Sequence, residues 1–375
     1  MNLIAPLTNE EIELLRDEQA FMPVLPTFNE VIAQPEVLAR TLLNLKPEIL
    51  ELANLLAQRN CNRILIMGSG DSYFAAAAAC FAFEKYADIQ VEALQAFEYA
   101  VYGAAAVDER TAIFVISSSG RPTTTWDALD RALKTQALVV GITDTPYTGN
   151  PFAERPPFVL IPGATKVGWP TQTTTTTLAV LLTLAVSLGL KNGKLDVDEA
   201  EYLFNELRQI PEKATVTLQE NMNVARQLAS LLHQKHYFTL ISGGPNLAVA
   251  NIGNALLAEG SQKAGVVYEV EEFNHSLRAC TIQTGEPVLL VAPDGFCLRR
   301  LEETIPPLKQ RNALIMAIVD GEDSIVAENA NFLLRVPKTV EAFSPLLTLL
   351  PLHLLSLFIA IECIKSGYQR PEIPV

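Results

Sequence analysis

The sequence has few basic side chains for its length. Its 375 residues include 28 Lys and Arg against 42 Asp and Glu, which gives a formal net charge of -14. Surfaces that bind nucleic acid or anionic membranes need clustered Lys and Arg, and no such cluster occurs in the sequence. The charge balance therefore argues against a nucleic-acid partner and a membrane partner. It still allows a small anionic molecule held by backbone amides at a helix end.

Cysteine and histidine are also scarce. The five cysteines form no C-x-x-C pair and the four histidines no H-E-x-x-H pattern, so we expect no metal site, and we expect no cofactor. Scattered thiols fit a reducing compartment. The first residues, MNLIAPLTNEEIELLRDE, are acidic where a secretion signal is basic, so the sequence predicts a cytoplasmic protein.

One apolar stretch, FSPLLTLLPLHLLSLFIAIECI at 343–364, is long enough to cross a membrane. A span needs about 20 consecutive apolar residues with few or no charges. This stretch contains Pro345, Pro351, His353 and Glu362, which are costly or disruptive in lipid. The pattern favours a buried helix of a globular domain over a membrane span.

The remaining sequence indicates a duplicated α/β domain. Short apolar runs alternate with helical patterns, as in a parallel sheet covered by helices on both faces. Four runs of the first half return in the same order in the second half, displaced by 174, 175, 176 and 174 residues. They are ILIMGSGD, AIFVISSSG, ALVVGITD and FVLIPGA, followed by FTLISGGP, PVLLVAPDG, ALIMAIVD and FLLRVP. Four nearly equal displacements indicate two copies of one unit.

We therefore predict an α/β fold with two tandem doubly wound, flavodoxin-like parallel-sheet domains after an N-terminal helical arm. The joint is placed near LRQIPEKATVTLQEN, at 207–221. The predicted segments are an arm at 1–45, a first domain at 46–206, a second domain at 222–366 and a tail at 367–375.

The two copies differ at the carboxyl ends of their strands, where ligands bind in such sheets. The first copy has hydroxyl-rich segments there, and the second has segments poorer in side-chain donors. These segments are GSGDS, SSSGRPTTT and GWPTQTTTTT in the first copy, and SGGPN and APDG in the second. The ligand is therefore expected in the first copy.

Several motifs, in order and spacing, resemble the sugar isomerase (SIS) family, and most of all the double-SIS isomerase half of the glutamine–fructose-6-phosphate aminotransferases. The motifs are EVIAQP (30–35), GSGDSY (68–73), ISSSGRPTTT (116–125) and the terminal LLPLHLLSLFIAIECIKSGYQRPEIPV. They are similar to the family's E-x-x-x-Q-P arm, C-G-T-S-Y loop, I-S-Q-S-G-E-T loop and last helix. The glutaminase half is not expected, since the chain opens on Met1-Asn2 and offers no N-terminal nucleophile.

The resemblance implies a phosphate site in the first copy. Hydroxyls and free amides at helix N-termini suit a phosphate without a lysine. The implied groups are the side chains of Ser72, Ser117, Ser118, Ser119 and Thr123 and the backbone of Gly70 and Ser72, with Thr171 matching a Ser that contacts the sugar. The alternative is that such hydroxyls only cap the helices that follow them.

Asp71 stands in the same loop where the family has Thr. A carboxylate close to a phosphate would repel it, by about 1 kcal/mol or more. Two explanations remain open: Asp71 turns away to cap its own helix, or the substrate carries an amine towards this loop. We favour the cap.

Catalysis of an aldose–ketose shift needs a base that moves a proton between C1 and C2. Glu259 lies in an apolar helical pattern, which should raise its pKa, and it matches the family's proton-shuttling glutamate. His275 follows at the spacing of the family's ring-opening histidine, which a neighbouring subunit contributes, so a homodimer is implied. Glu272 matches a further family glutamate that orients the sugar or the histidine.

Two departures concern amines. Leu256 stands where the aminotransferases have a lysine, and the tail QRPEIPV lacks the terminal lysine. With these departures, the resemblance implies a phosphosugar isomerase, or an aminosugar-phosphate isomerase or deaminase, that acts on a hexose 6-phosphate through an enediol-like intermediate. The alternative is a non-catalytic sensor of sugar phosphates.

Overall fold

The structure, a computed structural model, describes residues 7–16, 23–103, 106–121 and 123–367. The tail QRPEIPV lies outside these residues. The chain begins with three helices, α1 (Asn9–Leu14), α2 (Val24–Asn44) and α3 (Lys46–Gln58).

Five strands and six helices follow. They are β1 (Arg63–Gly68), α4 (Asp71–Ala82), β2 (Gln90–Gln95), α5 (Ala96–Val101), β3 (Thr111–Ile116), α6 (Thr124–Ala132), β4 (Leu138–Ile142), α7 (Pro151–Glu154), β5 (Phe158–Leu160), α8 (Gln172–Lys191) and α9 (Val197–Leu232). The segment 207–221, expected as the joint between the copies, is therefore part of a continuous helix.

The second half repeats the alternation. Its elements are β6 (Tyr237–Ser242), α10 (Pro245–Ser261), β7 (Ala264–Glu269), α11 (Val270–His275), β8 (Pro287–Val291), α12 (Leu298–Glu302), α13 (Ile305–Gln310), β9 (Leu314–Val319), α14 (Ile325–Asn329), β10 (Phe332–Arg335) and α15 (Pro345–Lys365).

The strands form two five-stranded parallel sheets with the same topology. The first has the order β2-β1-β3-β4-β5, and the second, read from the other edge, β7-β6-β8-β9-β10. Both have the 2-1-3-4-5 arrangement of flavodoxin-like folds. The predicted fold class of two tandem doubly wound sheets is confirmed.

The chain divides into two compact units that are not contiguous in sequence. The first unit comprises Met1–Gln34, Lys166–Thr171 and Glu212–Val375, and the second comprises Pro35–Thr165 and Gln172–Pro211. The second sheet therefore belongs to the first unit, together with part of the arm and a short loop from the first half. The linear domain boundaries predicted above stay a prediction.

Each unit has one long apolar helix in its interior. In the second unit α8 is buried from Gln172 to Gly189 and packs against α3 and α4. In the first unit α15 packs against α10. Both helices are long and apolar enough to cross a membrane, but 94% and 89% of their most apolar windows are buried inside the protein. The predicted burial of the 343–364 stretch agrees with this arrangement.

Candidate functional site

The strand order of the first sheet reverses at β1, because β2 and β3 lie on opposite sides of it. In open parallel sheets such a reversal leaves a crevice at the carboxyl ends of the strands, and ligands bind there. The loops that follow β1 and β3 border this crevice. Ser69 Oγ and Thr125 Oγ1 lie 3.5 Å apart and bring the two segments together.

The loop after β1 ends at Gly70, the N-cap of α4. Gly70 has φ +56°, which glycine adopts at no steric cost. Because it has no side chain, it makes no capping hydrogen bond to the first amides of α4. The first amides of α4 therefore have no side-chain cap from this residue, and Ser72 is half-buried beside them. Amides at a helix N-terminus suit an anion.

The expectation that Asp71 caps α4 is wrong. Asp71 is the first residue of the helix, and its buried carboxylate accepts a hydrogen bond from Thr174 Oγ1 of α8 at 3.1 Å. The side chain thus joins two helices of the second unit. This hydrogen bond gives a structural reason for a carboxylate in the loop.

The loop after β3 is held by its backbone. The Ser117 amide donates to the Ile142 carbonyl at 2.9 Å, and the Gly120 amide donates to the Ser117 carbonyl at 3.2 Å. Ser117, Ser118 and Ser119 are half-buried. Three neighbouring serines are thereby arranged at the crevice.

Thr123 caps the next helix. It is the N-cap of α6, and its Oγ1 accepts a hydrogen bond from the Thr125 amide at 3.3 Å. The capping alternative therefore holds for this residue. A binding role for Thr123 stays a prediction.

Asp144 was not among the predicted site residues. It follows β4, its amide donates to the Ser118 carbonyl at 3.1 Å, and its Oδ1 accepts from the Ala164 amide at 3.0 Å. Its buried Oδ2 has no hydrogen-bond partner among the described residues. Burial raises the pKa of the Asp144 carboxyl to about 7, despite the hydrogen bonds that favour the charged form. In the sequence, Asp144 could have been identified as the aspartate that ends the strand motif ALVVGITD.

Glu259 lies near the C-terminal end of α10, in the first unit. Its side chain is exposed, and partial burial of the carboxyl group raises its pKa. The ammonium of Lys166 opposes this and favours the charged form, but its effect is smaller. The predicted direction of the pKa shift agrees with the structure.

His275 and Glu272 are exposed on α11, at the other end of β7. α10 ends just before β7 begins, and α11 starts where β7 ends. Six strand residues separate them, a distance of about 20 Å. A single copy of this unit does not bring the Glu259 carboxylate and the His275 imidazole together.

Thr171 belongs to the same unit as Glu259. It is 1% exposed, and its Oγ1 has no hydrogen-bond partner among the described residues. Trp169, two residues earlier, is fully buried. Within the described ranges, no group of three or more His, Cys, Asp and Glu side chains is placed to hold a metal ion.

Comparison with known proteins supports the resemblance to the SIS family. Residues 58–187 match the SIS domain model. Over 347 residues the chain is 30% identical to "Glutamine--fructose-6-phosphate aminotransferase [isomerizing]" of Pyrobaculum aerophilum, covering 92% of this chain and 55% of that protein. The chain thus spans about half the length of the curated relatives it matches.

Solved structures share the fold. The C-terminal domain of glucosamine-fructose-6-phosphate aminotransferase from Francisella tularensis has a TM-score of 0.81 at 22% identity, over 92% of this chain and 98% of that one. Glucosamine-6-phosphate deaminase from Thermotoga maritima has a TM-score of 0.69 at 19% identity, over 92% and 95%. The fold is thus shared, and the resemblance to the SIS family that the motifs indicated is confirmed, with the SIS domain matched at residues 58–187.

Proposed function

We propose that the protein is a phosphosugar isomerase that acts on a hexose 6-phosphate or its amino-sugar counterpart. Glu259 carries the proposal, because it is a carboxylate of raised pKa and the sole ionisable side chain of α10, at the place of the proton-shuttling glutamate in the family. A base works best when its pKa lies near the working pH. The names of the similar proteins, an aminotransferase and a deaminase of sugar phosphates, support the same substrate class.

The phosphate is assigned to the crevice of the first sheet. Ser72, Ser117, Ser118 and Ser119 supply hydroxyls, and the amides at the start of α4, beginning beside Gly70, supply further donors. Hydroxyl and amide donors at a helix N-terminus bind phosphate through directed hydrogen bonds and the helix dipole. Binding energy at the phosphate then positions the reacting carbons.

In the reaction that we propose, the Glu259 carboxylate removes a proton from the carbon next to the carbonyl group. The electron pair of that C–H bond forms the carbon–carbon double bond of the enediol-like intermediate, and the carbonyl oxygen takes up the negative charge. The carboxylic acid then returns the proton to the former carbonyl carbon, while a proton passes from the hydroxyl oxygen of the other carbon to the former carbonyl oxygen. A general base of this kind contributes about 100- to 10,000-fold to the rate. Thr171 is assigned to a sugar hydroxyl, since its buried Oγ1 has no partner among the residues that the structure describes.

Ring opening is assigned to His275 of a second copy of the chain, oriented by Glu272. The separation of about 20 Å along β7 keeps His275 away from Glu259 of its own unit. A homodimer with two equivalent sites satisfies both requirements. We place this enzyme in the cytoplasm.

The finer assignment is an ammonia-releasing or ammonia-independent reaction, of the glucosamine-6-phosphate deaminase or fructosamine-6-phosphate deglycase type. Leu256 replaces the lysine that the aminotransferases have near the substrate. The fold likeness to a glucosamine-6-phosphate deaminase is compatible with this assignment.

The test is hydrogen exchange in deuterated buffer with fructose 6-phosphate and, separately, glucosamine 6-phosphate. Proton NMR follows loss of the C1 or C2 hydrogen signals, and a coupled assay measures released ammonia. Exchange that disappears in Glu259→Gln supports the isomerase, and ammonia release separates a deaminase from a plain isomerase. Tight binding of a sugar phosphate without exchange would overturn the proposal in favour of a sensor.

A further inference from the structure

The turn that contains the three serines after β3 directs its carbonyl groups at one neighbouring loop. We call Ser117–Gly120 the serine turn and residues 143–150, between β4 and α7, the supporting loop. Both lie in the same compact unit. The Ser118 carbonyl oxygen accepts a hydrogen bond from the Asp144 amide at 3.1 Å and a further one from Thr145 Oγ1. The supporting loop therefore binds the middle of the serine turn through its backbone and a hydroxyl group.

The Gly120 carbonyl oxygen, at the end of the serine turn, is bound in a similar way. It accepts hydrogen bonds from the Tyr147 hydroxyl of the supporting loop at 2.9 Å and from Trp126 Nε1 of α6 at 3.1 Å. Gly120 has φ +61°, and a Cβ atom there would stand 2.3 Å from Asn150 Nδ2. A side chain at this position would push the two loops apart, so the close approach requires glycine.

Asn150 holds the supporting loop in this shape. Its side chain is fully buried, and Nδ2 donates hydrogen bonds to Thr143 Oγ1 at 3.1 Å and to the Thr145 carbonyl oxygen at 2.6 Å. Its Oδ1 accepts a hydrogen bond from the Phe152 amide at 3.0 Å. Thr143 Oγ1 in turn lies 3.4 Å from the Ser118 carbonyl oxygen, to which it donates. The groups that contact the serine turn are thus fixed by hydrogen bonds within the supporting loop.

The direction of the carbonyl groups determines the direction of the amides. In a trans peptide unit the C=O of one residue and the N–H of the next point in opposite directions. The Ser118 carbonyl points at the supporting loop, so the Ser119 N–H points away from it. Among the described residues, the half-buried Ser119 amide has no hydrogen-bond acceptor. A backbone amide in such a turn needs a partner, and an anion is a suitable one.

We propose that Thr145 and Tyr147 are positioning residues for phosphate binding, because their hydroxyl groups hold two carbonyls of the serine turn away from the phosphate and keep the Ser119 amide directed at it. This rests on the proposed function, in which the serine turn binds the phosphate. A flip of the peptide unit between Ser118 and Ser119 would replace a donor by a carbonyl oxygen that repels the phosphate. Neither positioning residue lies in one of the motifs named above.

The first test measures binding and does not need catalysis. Isothermal calorimetry with fructose 6-phosphate compares the wild-type protein with Thr145→Val, which removes the donor and keeps the shape, and with Thr145→Ser, which keeps the hydroxyl group. We expect Thr145→Val to weaken binding about 3- to 10-fold, and Thr145→Ser to bind like the wild type. Thr148→Val changes an exposed threonine of the same loop and is the matched control, with no expected effect.

Tyr147→Phe is a second variant whose side chain is 43% exposed, so that the loss of its hydroxyl group should not impair folding. It should weaken binding about two- to fivefold, less than Thr145→Val, because Trp126 still donates to the Gly120 carbonyl oxygen. Tyr202→Phe, at an exposed tyrosine of α9 in the same unit, is its control.

The second test observes the Ser119 amide directly. The full-length protein is labelled with ¹⁵N-serine, the Ser119 signal is assigned by its loss in Ser119→Ala, and inorganic phosphate is added. We expect phosphate to move the Ser119 amide proton downfield in the wild type and in Thr145→Ser, and less in Thr145→Val at equal saturation. A change in stability alone would not produce this pattern.

The outcomes separate this inference from the proposed function. Unchanged affinity and an unchanged Ser119 shift in Thr145→Val would overturn the inference, even if the free energy of unfolding falls. Equal losses in Thr145→Val and Thr145→Ser would overturn it too, because the hydroxyl group would then not be the cause. The expected binding pattern in a wild-type protein that catalyses no exchange in deuterated buffer would overturn the isomerase proposal alone.

Discussion

The two sheets have one topology but different chemistry at their carboxyl ends. After β1 and β3 the chain offers half-buried serines, whereas after β6 and β8 it offers glycine, proline and Asp294. Gly70 and Gly244 have nearly the same backbone, with φ +56° and +57°. The duplicated backbone turn is therefore present in both copies, and the side chains around it decide where a phosphate can bind.

The same comparison explains Asp71. In the first copy Thr174 Oγ1 donates to Asp71 Oδ2 at 3.1 Å, and in the second copy Thr348 Oγ1 donates to Asn246 Oδ1 at 2.7 Å. Each bond joins the helix after the first strand of its sheet to the last apolar helix. Asp71 is thus the counterpart of an amide with the same structural contact. No amine on the substrate is needed to account for it.

The largest difference between the copies concerns the base. Glu259→Gln should lower the exchange rate about 100-fold or more, because an amide cannot accept the proton. Glu84, at the corresponding place after α4, is exposed and has no assigned role, so Glu84→Gln should retain wild-type exchange. Equal losses in both variants would contradict the assignment of the base to the second copy.

A second prediction tests, by the affinity for a sugar phosphate, which of the two sheets binds the phosphate. Ser118→Ala with Ser119→Ala should weaken binding of fructose 6-phosphate about 10- to 100-fold, since two donors to a charged phosphate are lost. Isothermal calorimetry measures the dissociation constant. Asp294→Asn, in the loop after β8, is the control and should leave the affinity unchanged; a loss there instead would place the phosphate at the second sheet.

The third prediction concerns the hydrogen bond between Asp71 and Thr174, which joins α4 to α8. Asp71→Ala should lower the free energy of unfolding by about 1–3 kcal/mol, because the buried Thr174 hydroxyl loses its acceptor. Asp71→Asn should cost much less, since it restores the arrangement of the second copy. Urea denaturation compares them, and equal costs would show that the negative charge itself is required.

The smallest effect concerns pH. Since burial raises the pKa of Asp144 to about 7, the folded state binds this proton more tightly than the unfolded state. The resulting stabilisation is complete below the unfolded pKa and is lost as the pH rises through about 7, by about 1 kcal/mol between pH 6 and 8. Asp144→Asn should remove this change in the free energy of unfolding, which urea denaturation at pH 6 and pH 8 measures.

Asp320 follows β9 as Asp144 follows β4, and burial raises the pKa of its carboxyl too. The Asp294 amide donates a hydrogen bond to Asp320 Oδ1 at 2.7 Å and favours the ionised form, so Asp320→Asn should change the pH dependence of stability less. A larger change in Asp320→Asn than in Asp144→Asn would contradict this order.

Apolar runs predicted the eight inner and far-edge strands of the two sheets but missed β2 and β7. Both missed strands lie at a sheet edge, and only Val91 of their twelve residues is buried. Parallel strands buried on both faces have continuous apolar runs. Pattern reasoning therefore detected all six inner strands, whereas of the four edge strands it detected β5 and β10.

The site was predicted less completely, for a different reason. Family motifs pointed to Glu259 and the serine loops, whose local sequence is distinctive. The position of Val167 and Gly168 has no local signal, because their amides donate hydrogen bonds to Glu30, 137 and 138 residues earlier in the chain. Asp71 was predicted as a cap because its partner, Thr174, is distant in sequence.

The two copies are repeated in sequence, but one of the two compact units is built from both halves of the chain. The unit that contains Glu259 includes Met1–Gln34 and Lys166–Thr171 from the first half. A fragment that begins at residue 212 would contain the whole second sheet and the proposed base, but not Thr171, which is proposed to contact the sugar. The second repeat, cut out at its sequence boundary, would therefore lack part of the unit in which its proposed base lies.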